Sequence, residues 1–249
     1  MRSSNPVFSK IERDASYSVA NEATYGGITL KTILLLFLAV VSGTTVISLA
    51  LEGTIPAASF GGLLIGSMIV ALISVLIASI SPRLAMPFAI LYALSEGLLL
   101  GFVTMIFDAM FPGVALTAVL ATTTIFVVML FLYSSRTIRV TSRFRKIMYT
   151  ALFSILILSI IFGILSFTNS PLVSSIIGDY FMFSLIISGV LIIFGALMLT
   201  LDFDRAEMIV ESGADKRYEW VVAVGLMVTI VWIYIQLLRF LAILASRRD

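Results

Sequence analysis

The chain has no cysteine and no histidine. The first absence excludes disulfides, thiol nucleophiles and thiolate metal sites, and the second excludes imidazole as general base, zinc ligand or neutral-pH switch. No nucleophile and base pair of the Ser/His or Cys/His kind can be built, and zinc would be left with carboxylates alone. Charge is scarce too. Only 12% of the 249 residues are charged, about half the share in a soluble domain, and a net charge of +2 spread over short loops offers no patch for nucleic acid. Two further enzyme classes lack their signatures. The nearest approach to the Gly-x-Gly-Asp of intramembrane aspartyl proteases is Ile176-Ile-Gly-Asp179, which lacks the first glycine and stands in the wrong place. A retinal protein of seven helices needs a lysine in its last span, and none lies between Trp220 and Ala245. The chain is therefore not expected to be an enzyme or to hold a cofactor.

What is abundant is apolar sequence, 60% of the chain. An apolar stretch of about 20 residues crosses a bilayer core of about 30 Å, and seven stretches qualify: Leu30 to Leu51, Gly61 to Ile80, Ala85 to Phe107, Gly113 to Tyr133, Ile147 to Phe167, Ile177 to Leu201 and Trp220 to Ala245. Pro82, Pro112 and Pro171 mark short breaks, so consecutive helices are expected to be antiparallel neighbours in a compact bundle. The polar first 29 residues carry Arg2, Lys10, Glu12, Arg13 and Asp14 and lack the pattern of a cleaved signal, which makes the first span a signal anchor. The expected organisation is a cytoplasmic amino-terminal segment over 1–29, a seven-helix membrane domain over 30–245 and a tail over 246–249.

Orientation follows from counting Lys and Arg on alternate sides. Thirteen fall on one side: four in the amino-terminal stretch up to Lys31, Arg83 in the second connection, five in the linker Arg136 to Lys146, and three in the sixth connection. The opposite connections hold Glu52, Asp108 and Asp179 and no basic residue; only Arg247 and Arg248 after the last span dissent. The amino terminus is expected in the cytoplasm with the carboxyl terminus outside, or both ends inside if the seventh segment is re-entrant. Glycines spaced by four, Gly62 with Gly66 and Gly97 with Gly101, predict close helix contacts. No internal repeat or matched pair of broken helices argues for an inverted-repeat transporter.

Few polar residues in the spans could carry chemistry. Glu96 lies mid-way along the third span, where a charge is costly unless it faces the interior; it either ties helices as a neutral hydrogen-bonding group or handles an ion or proton. Asp202 and Asp204 follow directly on the sixth span, and positions two apart on a helix point about 200° from each other. Asp202 is the better inward candidate, while Asp204, Glu207 and Glu211 form an acidic outer stripe. Arg239, about six residues from the end of the last span, either snorkels or pairs with a buried acid. Arg83 is on the same side as Asp202 and could form an ion pair with it. Trp232 and Tyr234 are read as packing or interface residues.

The order of seven spans, the run Tyr-Ala-Leu-Ser-Glu-Gly-Leu-Leu-Leu-Gly at 92–101, Leu-Asp-Phe-Asp at 201–204 and Leu-Leu-Arg-Phe-Leu-Ala-Ile-Leu at 237–244 resemble the transmembrane Bax inhibitor motif family, and the opening Met-Arg-Ser-Ser-Asn-Pro-Val-Phe resembles its bacterial branch. The resemblance implies an all-α seven-helix bundle with the last helix central, in a bacterial inner membrane, acting as a pH-sensitive calcium leak. It further implies a gate of two hydrogen-bonded aspartates, one ending the sixth helix and one in the seventh. Asp202 matches the first; alignment on Leu237-Leu-Arg-Phe240 puts Thr229, or Val228, at the second. Asp202 is then expected to bond Thr229, with Glu96 as the other ionisable group, protonation closing or opening the path. Ca²⁺, a hard ion that prefers oxygen ligands, would be met transiently by Asp202 and Glu96. The alternative is a non-conducting regulator that binds a membrane protease or another stress-response partner through the acidic connection and the basic linker. A weaker third option is a proton-coupled transporter.

Overall fold

The computed structural model describes residues 22–167 and 180–246. Among them are seven helices and no strand: α1 Tyr25–Leu51, α2 Ala57–Ile80, α3 Ala85–Met110, α4 Val114–Ser134, α5 Ser142–Phe167, α6 Tyr180–Glu211 and α7 Tyr218–Ala245. Each is long and apolar enough to cross a membrane, so the expected all-α, seven-helix membrane fold is present. The amino-terminal segment before Glu22, the fifth connection with Pro171 and Asp179, the first residues of the expected sixth span, and Arg247 with Arg248 lie outside the described residues.

The helices outrun the apolar stretches because caps, and not hydrophobicity, decide where they stop. Thr24, in extended backbone, accepts from the Gly27 N–H at 2.9 Å and starts α1 five residues before Leu30. Thr141 does the same for Phe144 at 3.1 Å, so α5 opens on Ser142 and takes in Arg143, Arg145 and Lys146. Asp108, expected in a loop, closes α3 and caps α4, accepting from the N–H groups of Gly113 at 3.0 Å and Ala115 at 3.3 Å. The sixth helix departs most. No glycine or proline interrupts it after Leu201, so it runs on to Glu211 and carries Asp202, Asp204 and Glu207 as helical residues. It ends where Gly213, at φ 63°, lets Ala214 N–H reach the Ile209 carbonyl and Gly213 N–H the Val210 carbonyl.

Packing divides the described residues into two compact units, those within 1–103 with 205–227 and those within 104–204 with 228–249. In the first, α1 and α3 approach at glycine. A Cβ on Gly101 would lie 2.6 Å from the Gly43 carbonyl oxygen, one on Gly43 would lie 2.9 Å from that of Gly97, and one on Gly97 would overlap the Ala39 backbone. The glycine pair of the third span is therefore a helix contact, as its spacing predicts. Gly62 and Gly66 are different: a Cβ on either meets nothing within 4 Å, so that pair of α2 makes no such contact.

In the second unit, Met148 on α5 packs with Phe194 and Leu201 of α6, and Phe203 of α6 takes the rings of Phe126 and Tyr133 on α4 at 5.6 and 5.7 Å. The most apolar stretch of α7 is 56% buried, against 6% for α5 and no more than 33% for any other helix. This is the burial expected of the innermost helix; large apolar side chains elsewhere, such as Phe37, Leu116 and Ile160, are turned outward.

These contacts separate two sets of variants. Gly101→Val should lose about 1–3 kcal/mol of stability through overpacking against α1, whereas Gly62→Ala and Gly66→Ala should stay within about 0.5 kcal/mol of wild type. Thermal unfolding of the purified protein in detergent reads the difference.

Candidate functional site

Leu201 and Phe203, 5% and 7% exposed, fix the rotation of α6 by packing in opposite directions, toward α5 and α4. Asp202 between them is thereby turned to α7, where the Thr229 hydroxyl donates to Oδ2 at 2.5 Å. Thr229 is buried and Asp202 half-buried. An O–H donor on a carboxylate at this distance is a short, charge-assisted bond, about twice as strong as a neutral one. Such a donor is what a carboxylate needs at the edge of hydrocarbon, where desolvation would otherwise expel it. Thr229 stands where the resemblance puts a second acid, so this pair holds one titratable group.

Asp204 points the other way, as a spacing of two requires. Its carboxylate takes the Arg145 guanidinium at 2.5 Å, with side chains 18% and 40% exposed. One acid of Leu201-Asp-Phe-Asp204 thus serves the α6–α7 contact and the other ties α6 to the basic start of α5. Thr104 on α3 and the Tyr234 hydroxyl on α7 add a third polar tie at 2.8 Å, giving Tyr234 a more specific role than packing.

Glu96 lies half-buried on α3 in the other unit, beside buried Tyr92, Ser95 and Gly97. It makes no side-chain hydrogen bond or ion pair with a described residue, so the reading of Glu96 as a hydrogen-bonded tie between helices is not met. Arg83 is expected as an ion-pair partner, and Arg239 either as one or as a snorkelling side chain. Both are exposed, and neither forms an ion pair with a described acid. For Arg239, a long side chain six residues from the end of α7 can carry its charge along the helix to the interface, which makes a buried acid unnecessary. No three acidic side chains among the described residues gather as a cation cage.

The buried charge that sequence reasoning missed is in the first unit. Glu219, in the first turn of α7, is fully buried and paired with Lys31 of α1. Its Oε1 also accepts from the Thr24 N–H at 2.8 Å and the Thr24 hydroxyl at 3.2 Å. The Lys31 ammonium lies 5.1 Å from the centroid of the Trp220 ring and 3.4 Å from the Lys216 carbonyl. A Cβ on Gly27 would collide with the Glu219 carboxylate, and Ala23 N–H donates to the Ala214 carbonyl at 2.7 Å, so the start of α1 is clamped to the α6–α7 connection. The signal was there: a lysine inside the first apolar run and a glutamate abutting the last one both need partners.

A family model described as Bax inhibitor 1 like matches residues 5–246. No curated protein matches the chain.

The clamp makes a prediction of its own. Lys31→Met leaves a buried carboxylate without its counter-charge and should cost roughly 3–5 kcal/mol. Lys31→Met combined with Glu219→Gln should recover part of that loss, a non-additivity visible in melting temperatures of the two single variants and the double.

Proposed function

The chain belongs to the Bax inhibitor 1-like family of seven-helix membrane proteins, and we propose that it is a cation leak, with Ca²⁺ as the permeant ion, governed by the protonation of Asp202. The observation that carries this reading is the 2.5 Å bond from Thr229 to the Asp202 carboxylate, a polar pair held between two membrane helices by apolar packing on both flanks. An ionised Asp202 supplies the hard oxygen a divalent cation seeks, and the Thr229 hydroxyl keeps that oxygen oriented. A proton on Asp202 removes both the charge and the ligand, so acid slows the leak. Glu96 is a second carboxylate inside a span, half-buried and with no hydrogen bond or ion pair to a described residue. The Asp202–Thr229 pair itself holds one titratable group, whereas two acids sharing a site would titrate as a coupled pair. The basic residues counted along the chain favour a cytoplasmic amino terminus, with Asp202 toward that side of a bacterial inner membrane.

Calcium entry into proteoliposomes, followed across pH, tests the reading. Wild-type flux should rise with pH along a single-proton curve. Asp202→Asn should flatten that curve and lower flux roughly tenfold, the kinetic equivalent of about 1.4 kcal/mol, with a smaller loss for Glu96→Gln. Thr229→Asp should turn the profile into two steps. Unchanged flux in both Asp202→Asn and Glu96→Gln removes the site; no divalent flux in wild type removes the leak.

A further inference from the structure

Below Asp202, the contact between α6 and α7 is lined in an unexpected way. Its register is set by three points: Asp202 against Thr229, Gly195 against Trp232 and Ile233, and Gly189 against Phe240. Ser188, Gly195 and Asp202 follow at intervals of seven and share one face of α6; Thr229, Trp232 and Gln236 share the facing side of α7. Of these, Ser188 is completely buried, and its Oγ, the Trp232 Nε1 and the Gln236 Oε1 are buried polar atoms with no hydrogen-bond partner among the described residues. Among the described residues, Ser74 Oγ alone shares that condition elsewhere.

Within hydrocarbon depth, a polar atom left without a partner costs several kcal/mol. One such atom is an accident of packing. Three on one seam, in line with a carboxylate, indicate a ligand that the side chains themselves do not supply. The mixture identifies it. Gln236 Oε1 only accepts, Trp232 Nε1 only donates, and Ser188 does both; a cation would satisfy the acceptors alone, whereas water, which donates and accepts, satisfies all three. From Ser188 to Asp202 is fourteen residues of helix, about 21 Å at the helical rise, most of the way across a bilayer core of about 30 Å.

We infer that the α6–α7 seam is hydrated, with Ser188, Trp232 and Gln236 lining a file of water along which a cation reaches Asp202. The water itself stands on the buried polar atoms; its role as a route rests on the leak proposed above. Trp232 then does more than pack, since its N–H orients the file while its ring closes the side.

The chain has no cysteine, so Ser188→Cys and Gln236→Cys each introduce a single thiol, and Ser188→Cys is nearly isosteric. In nanodiscs, Ag⁺ is the probe, small enough to follow water, and protection of the thiol is read by maleimide labelling after denaturation. Ile193→Cys, on a side chain 64% exposed on the outer face of α6, is the lipid-facing control. Protection at 188 and 236 should be faster than at 193 by roughly tenfold or more, because a thiol ionises and reacts only where water reaches it. Protection no faster than at 193 overturns the hydrated seam, whatever the flux. In liposomes that leak, Gln236→Leu should lower calcium flux several-fold; wild-type flux in that variant overturns the seam as a route. Wild-type liposomes without flux would remove the leak and leave the Ag⁺ comparison decisive for the water.

Discussion

A carboxylate next to hydrocarbon persists only if something donates to it, and in this protein a threonine does so. The Thr229–Asp202 bond depends on where α6 is rotated, and that rotation depends on neighbours of Asp202 that have no polar function at all. Leu201 sinks against Met148 and Phe194, Phe203 against Phe126 and Tyr133. Had either packed elsewhere, the acid would have swept away from α7 by tens of degrees. Packing thus aims the polar group, and the polar group fixes the register of the most buried helix.

The same constraint accounts for the other charged pairs. Arg145 and Asp204 sit at a partly exposed margin, where a pair contributes little to stability but holds the start of α5 to α6. Lys31 and Glu219 lie deeper, and there every acceptor of the carboxylate is engaged by Lys31 or Thr24. The difference in burial makes one pair a tether and the other a structural requirement. Glu96 belongs to neither class, which is why it enters the functional reading.

Most of the fold could be read from the chain, because membrane thickness imposes a length on every apolar run. That ruler measures hydrocarbon, not helices, so it missed the starts of α1 and α5 and the last ten residues of α6, where Thr24, Thr141 and Gly213 set the ends. Asp202 was legible as a lone acid closing an apolar helix. Thr229 was not, since a threonine in a span carries no signal of its own and only the resemblance singled it out. Long-range partners left no trace either: Arg145 and Asp204 are 59 residues apart, and many basic residues could have served. Gly62-xxx-Gly66 and Gly97-xxx-Gly101 look alike in sequence; only the second faces a neighbour, and a local pattern cannot say which.

Lys31 and Glu219 are separated by 188 residues. A chain made from its amino terminus delivers the ammonium in the first helix and the carboxylate only with the last. Until α7 is made, then, α1 carries an uncompensated charge at the second residue of its apolar run. Arrival of α7 supplies the counter-charge, so α1 reaches its paired state only after α7 is made.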